Sequence, residues 1–220
     1  MDANGTWAAV TVMVAVIVLY EGLSTWMQFH RPERLARSAH ASLRQAWFEA
    51  VSAQKGSEIL AVQTLRNSLM SATMLASTAA LALMGTVTLA APSLHAIAES
   101  VPATPLVTPR LVLELVLLGL LCASLVSTVM AVRFYNHASF IGAIPVDSEA
   151  RKRWNAAGSA YVRKAGLLYS VGLRHLILVV PVVAAILWPI AGPVTAVAVV
   201  AALVALDGSF AEGPREVAEK

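Results

Sequence analysis

Four long apolar stretches decide what this chain can become. They run from about Trp7 to Phe29, Leu69 to Ala91, Leu111 to Val132 and His175 to Leu206. The first three are each close to the roughly 20 residues that a helix needs to cross a bilayer. Lipid offers the backbone no hydrogen-bond partners, so a spanning segment must satisfy its own amides. The sequence therefore predicts an all-α fold: a polytopic helical membrane protein of one domain, residues 1–220, with about four transmembrane helices and two cytoplasmic amphipathic helical segments. Composition agrees. Only 13% of residues are charged, against about a quarter in soluble domains, and mean hydropathy is +0.70.

The fourth stretch is too long for one upright helix. Its 32 or so residues would extend roughly 48 Å, and they contain Pro181, Pro189, Gly192 and Pro193. A single tilted span broken near 189–193 is the favoured reading. The alternative is a hairpin turning at Pro189–Pro193. It would draw Gly166–His175 into the first arm and bury Arg174, which is expensive without a partner.

Charge placement orients the chain. The segment from His30 to Arg66 carries Arg31, Arg34, Arg37, Arg44, Lys55 and Arg66, and that from Arg133 to Arg174 carries seven Lys or Arg residues. The loop from Pro92 to Arg110 carries only Arg110, and reads as irregular. Both basic segments then face the cytoplasm, with the N-terminus outside. With four spans the C-terminus is outside too; a hairpin would reverse only that end. The first apolar run follows no cationic leader and shows no cleavage site, so it reads as a retained span. A net charge of +3 in such a protein points to orientation and anionic lipid headgroups, not to nucleic acid.

Both basic segments have a helical apolar stripe. In the first it is Leu35, Ala39, Leu43, Ala46, Trp47, Ala50 and Val51, and in the second Trp154, Tyr161, Ala165 and Leu168. A helix at the headgroup level and an ordinary packed helix fit equally. In the second span, small residues recur at Ser68, Ala72, Ala76 and Ala80, a ridge that permits close helix approach.

No phosphate loop, HExxH or GxSxG is present. The histidines His30, His40, His95, His137 and His175 are scattered, Cys122 stands alone in an apolar run as a packing residue, and Glu114 lies near the outer end of the third span where it can reach water. No metal site, cofactor or catalytic residue is assigned. Depth gives a sharper pattern. Arg66 and Asn67 open the second span, Arg133, Asn136 and His137 close the third, and Arg174 opens the fourth. Glu21 approaches the same level from the first span and needs an ion-pair partner, for which an arginine at the neck of a neighbouring helix is the candidate. The structural reading is a set of snorkelling arginines, one of them paired with Glu21. The functional reading is a site for a lipid phosphate or small anion built from Arg66, Asn67, Arg133, Asn136, His137 and Arg174.

The stretch Val62–Gly85, VQTLRNSLMSATMLASTAALALMG, resembles the hallmark segment of a membrane family of bacteria and plants known as domain of unknown function 599. Arg133-Phe134-Tyr135-Asn136-His137-Ala138 and Gly172-Leu173-Arg174, with the later Gly192-Pro193 break, are similar to its other motifs. The chain departs from it at His175-Leu176-Ile177, where aromatic residues are the family's habit, and at Asp207-Gly208-Ser209-Phe210 in place of a basic, aromatic end. The resemblance implies a fold and no activity. The expected function is a non-enzymatic structural or accessory subunit, a homo-oligomer or part of a larger membrane complex, in contact with anionic lipid at the cytoplasmic face. A small channel or carrier for an anion or lipid is the alternative. An enzyme acting on lipids would have only Glu21, His137 and His175 to draw on.

Overall fold

The computed structural model describes residues 3–30, 36–98 and 107–209. Among them the chain forms seven helices: α1 Ala3–His30, α2 Ala36–Ala53, α3 Glu58–Ala98, α4 Pro109–Ala143, α5 Glu149–Ile177, α6 Val179–Leu187 and α7 Ala191–Ser209. Four segments are long and apolar enough to cross a membrane: Ala3–His30, Glu58–His95, Pro109–Ala143 and Glu149–Leu187. Large apolar side chains point outward along them, Leu81 at 71% and Leu187 at 82% exposure. A surface of this kind is stable against lipid tails.

The helices run well beyond the expected spans. α3 starts at Glu58 and passes through Pro92 to Ala98, where an irregular loop is expected from residue 92. α4 does not end at Arg133 but continues to Ala143. Backbone bonds within a helix are indifferent to where the apolar run stops, so a charged residue at the boundary does not end it. Thr108 caps α4, its hydroxyl accepting from the Leu111 amide at 3.2 Å, with Pro109 in the first helical position.

The single broken span is corrected to a hairpin. α6 ends at Leu187, residues 188–190 turn, and α7 packs back against α6 and α1. Pro181 has no amide to bond back to Ile177, so α5 and α6 meet at a break around Leu178. At the turn, Gly192 lets the arms close: a Cβ there would stand 2.7 Å from Ala185 Cβ and 3.1 Å from Met13 Sδ. Pro193 sits in the first turn of α7, where a missing amide is harmless. The end of α7 therefore returns to the level of Arg174.

Two apolar cores stack along the bundle. The first joins α1, α4, α6 and α7 through Met13, Ile17, Leu117, Leu121, Val182 and Leu203. The second joins α2 to the start of α3, the end of α4 and α5 through Phe48, Leu65, Tyr135, Ile141 and Val162. Both basic segments thus pack together at one end, here called the basic end. The small-residue ridge is used inside the chain in its middle: Ala72 and Ala76 are buried, Ser68 and Ala80 are half-buried, neighbouring Ala79 is buried too, and α3 and α4 form the most extensive helix pair. The flanking Ser71, Thr73 and Thr78 hydroxyls donate to carbonyls four residues earlier, which satisfies them on a lipid-facing surface.

Candidate functional site

Arg174 is the centre of a polar network where α1, α2, α5 and α7 meet. Its Nη2 donates to both carboxylate oxygens of Asp207, at 2.5 and 2.7 Å, and its Nη1 donates to the Tyr20 hydroxyl at 3.2 Å. The Ser24 hydroxyl lies 3.5 Å away. The Arg174 and Asp207 side chains are only 12% and 18% exposed. A guanidinium held there needs a carboxylate, and the hairpin delivers one from its far arm. Buried Arg37, from α2, donates to the Ser24 carbonyl at 2.5 Å and so ties α2 to the end of α1. Burial, and after it the neighbouring Arg174, lowers the Arg37 guanidinium from its ordinary pKa.

Glu21 has a partner, though not an arginine. His175 Nε2 stands 3.6 Å from its carboxylate, a pair that is ionic only when the imidazole is protonated. Arg174 is taken by Asp207, so the adjacent residue on α5 faces Glu21 instead. Of the six residues expected to form an anion site, Arg174 alone joins this network. Arg66 and Asn67 are exposed on α3, and Arg133, Asn136 and His137 are exposed on α4. The His137 ring lies 5.7 Å from that of Tyr161, which also stacks on Phe134 at 5.6 Å. Equal depth does not make equal azimuth: helical residues turn about 100° per position, and these point away from the bundle axis.

Two further expectations are corrected. Glu114 does not reach water: it is 0% exposed, with one carboxylate oxygen accepting from Arg110 Nε at 2.9 Å. Its position puts it on the face of α4 shared with buried Leu111, Leu117 and Leu121. Cys122 is exposed rather than packed. Among the described residues, no three His, Cys, Asp or Glu side chains gather where a metal ion could be held.

Other buried charges fasten the basic end. Arg151, 2% exposed, donates to the carbonyls of Ile141 at 2.5 Å and Ile144 at 3.1 Å, and to Ser52 at 2.8 Å, so it caps the end of α4 and reaches α2. Its guanidinium lies 5.3 Å from the Phe48 ring centre. Glu58 accepts from the Val146 amide at 3.0 Å, joining the start of α3 to the α4–α5 turn. α2 packs extensively on α5 and only lightly on α3. The gap between α2 and α3 is a groove of about 340 Å³, lined by Leu43, Arg44, Trp47, Thr64, Leu65, Ser68, Tyr135 and Val162. It adjoins a smaller compartment of about 120 Å³ that shares Arg44, Ser68 and Tyr135 and adds Ser71 and Tyr169.

Sequence reasoning missed Asp207, Tyr20, Arg37 and Arg44. A signal for Asp207 was available: Arg174 and Asp207 stand at nearly equal distances on either side of the Pro189–Pro193 break. Equal arms bring their ends to one level if the chain reverses.

Fold and site together define a multi-pass helical membrane protein whose buried charges gather mainly at one end. The chain belongs to the family described as protein of unknown function, DUF599, whose model matches residues 8–211. No curated protein and no solved structure matches it.

Proposed function

We propose that this is a non-enzymatic protein of the bacterial inner membrane, N-terminus outside, that serves as a structural or accessory subunit of a homo-oligomer or larger membrane complex. One observation carries this reading: the charges at the helix junctions each close on at least one partner within the chain, the half-buried Arg44 excepted. Arg174 closes on Asp207, Arg37 on the Ser24 carbonyl, Arg151 on the end of α4 and Glu114 on Arg110. Groups committed in this way hold helices in register and do not turn over a substrate. Between the Arg174 network and Glu114, the interior is filled by Ile17, Leu117, Leu121 and Val182, which favours a scaffold over a conduit. The outward faces of α3 and α4 carry Met70, Met74, Met84 and Val126, adaptable apolar groups suited to lipid or to another membrane helix.

The test is the mass of the protein extracted from its own membrane into nanodiscs without prior detergent, measured by native mass spectrometry with cross-linking as a check. A stable multiple of the chain, or a defined complex with a second membrane protein, supports the reading. A single chain under both methods overturns it.

A further inference from the structure

The groove between α2 and α3 differs from every clamp described above. Its cation is not committed. Arg44 Nη1 is buried and has no hydrogen-bond partner, and no carboxylate lines either compartment. A guanidinium nitrogen withdrawn from water and left unpaired is costly, and a charge-assisted bond to an anion relieves that cost. The smaller compartment offers that guanidinium and the phenol of Tyr169 to such an anion; the Ser68 and Ser71 hydroxyls there already donate to the Thr64 and Asn67 carbonyls. The larger compartment has a different chemistry. Leu43, Trp47, Leu65 and Val162 line it, Leu43 is exposed, and it opens where the apolar run of α3 begins at Leu69. That is headgroup depth, the level at which tryptophan collects in membrane proteins.

A polar end with an unpaired cation, continuous with an apolar arm at the bilayer boundary, is complementary to one class of molecule. We infer that this groove binds an anionic phospholipid, its phosphate on Arg44 and the start of an acyl chain between α2 and α3. The position of the guanidinium is built into the backbone. Arg44 lies across Gly166 of α5, where a Cβ would meet Nη1 and would stand 3.0 Å from Cδ and Cζ. Gly166 is the residue that allows the arginine to lie in the groove. Both headgroup classes offer the phosphate, but the quaternary ammonium of a zwitterionic headgroup is repelled by the unpaired guanidinium, which amounts to roughly a tenfold difference in affinity in favour of the anionic one.

The experiment uses the full chain in mixed micelles with phosphatidylglycerol and phosphatidylcholine of matched chains, and counts retained lipid by native mass spectrometry. Phosphatidylglycerol is expected at one copy per chain, about tenfold over phosphatidylcholine. Arg44→Gln removes that preference. Gly166→Ala keeps the charge but displaces it, and should remove the preference while leaving thermal stability equal or higher, because alanine favours the helix. Equal retention of the two lipids by the wild type overturns the inference, as does unchanged preference in both variants. Millimolar inorganic phosphate that displaces the lipid completely would assign the site to a free anion and overturn the phospholipid. If Arg44→Gln does not fold, Gly166→Ala alone decides between these outcomes.

Discussion

Replacing Asp207 with asparagine tests the hairpin and its clamp together. The substitution keeps the shape and removes the charge that faces Arg174 at 2.5 and 2.7 Å. Breaking a buried pair from one side costs about 3–5 kcal/mol, because the remaining charge is stranded. An exposed pair is worth about 0–1 kcal/mol. With side chains 12% and 18% exposed, this pair lies nearer the buried limit. Arg174 keeps its bond to Tyr20, and the asparagine oxygen still accepts one, which moderates the loss. The expected destabilisation is about 2–4 kcal/mol, which corresponds to about 5–15 °C in thermal midpoint for a chain of this size. Thermal unfolding in detergent micelles, followed by tryptophan fluorescence and protease resistance, reads it. The double variant Arg174→Met with Asp207→Leu should recover most of the loss, since apolar pairs replace buried ion pairs at little cost. An Asp207→Asn variant within about 0.5 kcal/mol of wild type would refute the claim that this carboxylate stabilises the return of α7.

Three other outcomes follow from the same geometry. A topology reporter fused after Ser209 should face the same side as one inserted at Gly56 in the α2–α3 turn, and opposite sides would refute the hairpin. Arg151→Met should destabilise by about 3 kcal/mol, because it orphans the Ile141 and Ile144 carbonyls; a loss under about 1 kcal/mol in chemical unfolding would show that the cap is dispensable. Gly158→Ala puts a Cβ 2.5 Å from Phe48 Cε1 and should cost about 1–3 kcal/mol despite the better helix former, whereas Gly119→Ala, with nothing within 4 Å, should be neutral or stabilising; equal midpoints for the two would remove the α2–α5 packing argument.

The apolar runs made the spans legible, since length and hydropathy alone decide whether a segment can cross lipid. The amphipathic stripe around Leu43, Trp47 and Val51 likewise marked α2. Helix ends were less legible. Arg133 and Pro92 look like boundaries in one dimension, yet both lie inside continuous helices. Depth was legible for Arg174 and Glu21, but azimuth was not. Which face of α3 or α4 turns inward depends on packing partners, and Arg66, Asn67, Arg133 and Asn136 fell on the outward side.

The hairpin turns on one physical point. A buried arginine is a strong objection to a topology only while no partner can reach it. In the sequence the arginine at this neck is offered to Glu21, and Asp207 falls in a tail beyond the span that ends at Leu206. Once the chain reverses at residues 188–190, that tail becomes the second arm, and the objection becomes the fastening. The penalty and the remedy were both in the sequence; each was visible only under the topology that contained the other. The same logic singles out Arg44. Arg174, Arg37 and Arg151 each find oxygen within the chain. Arg44 Nη1 is equally withdrawn from water, and no side chain or carbonyl accepts from it, which is the ground on which we assign it a lipid phosphate.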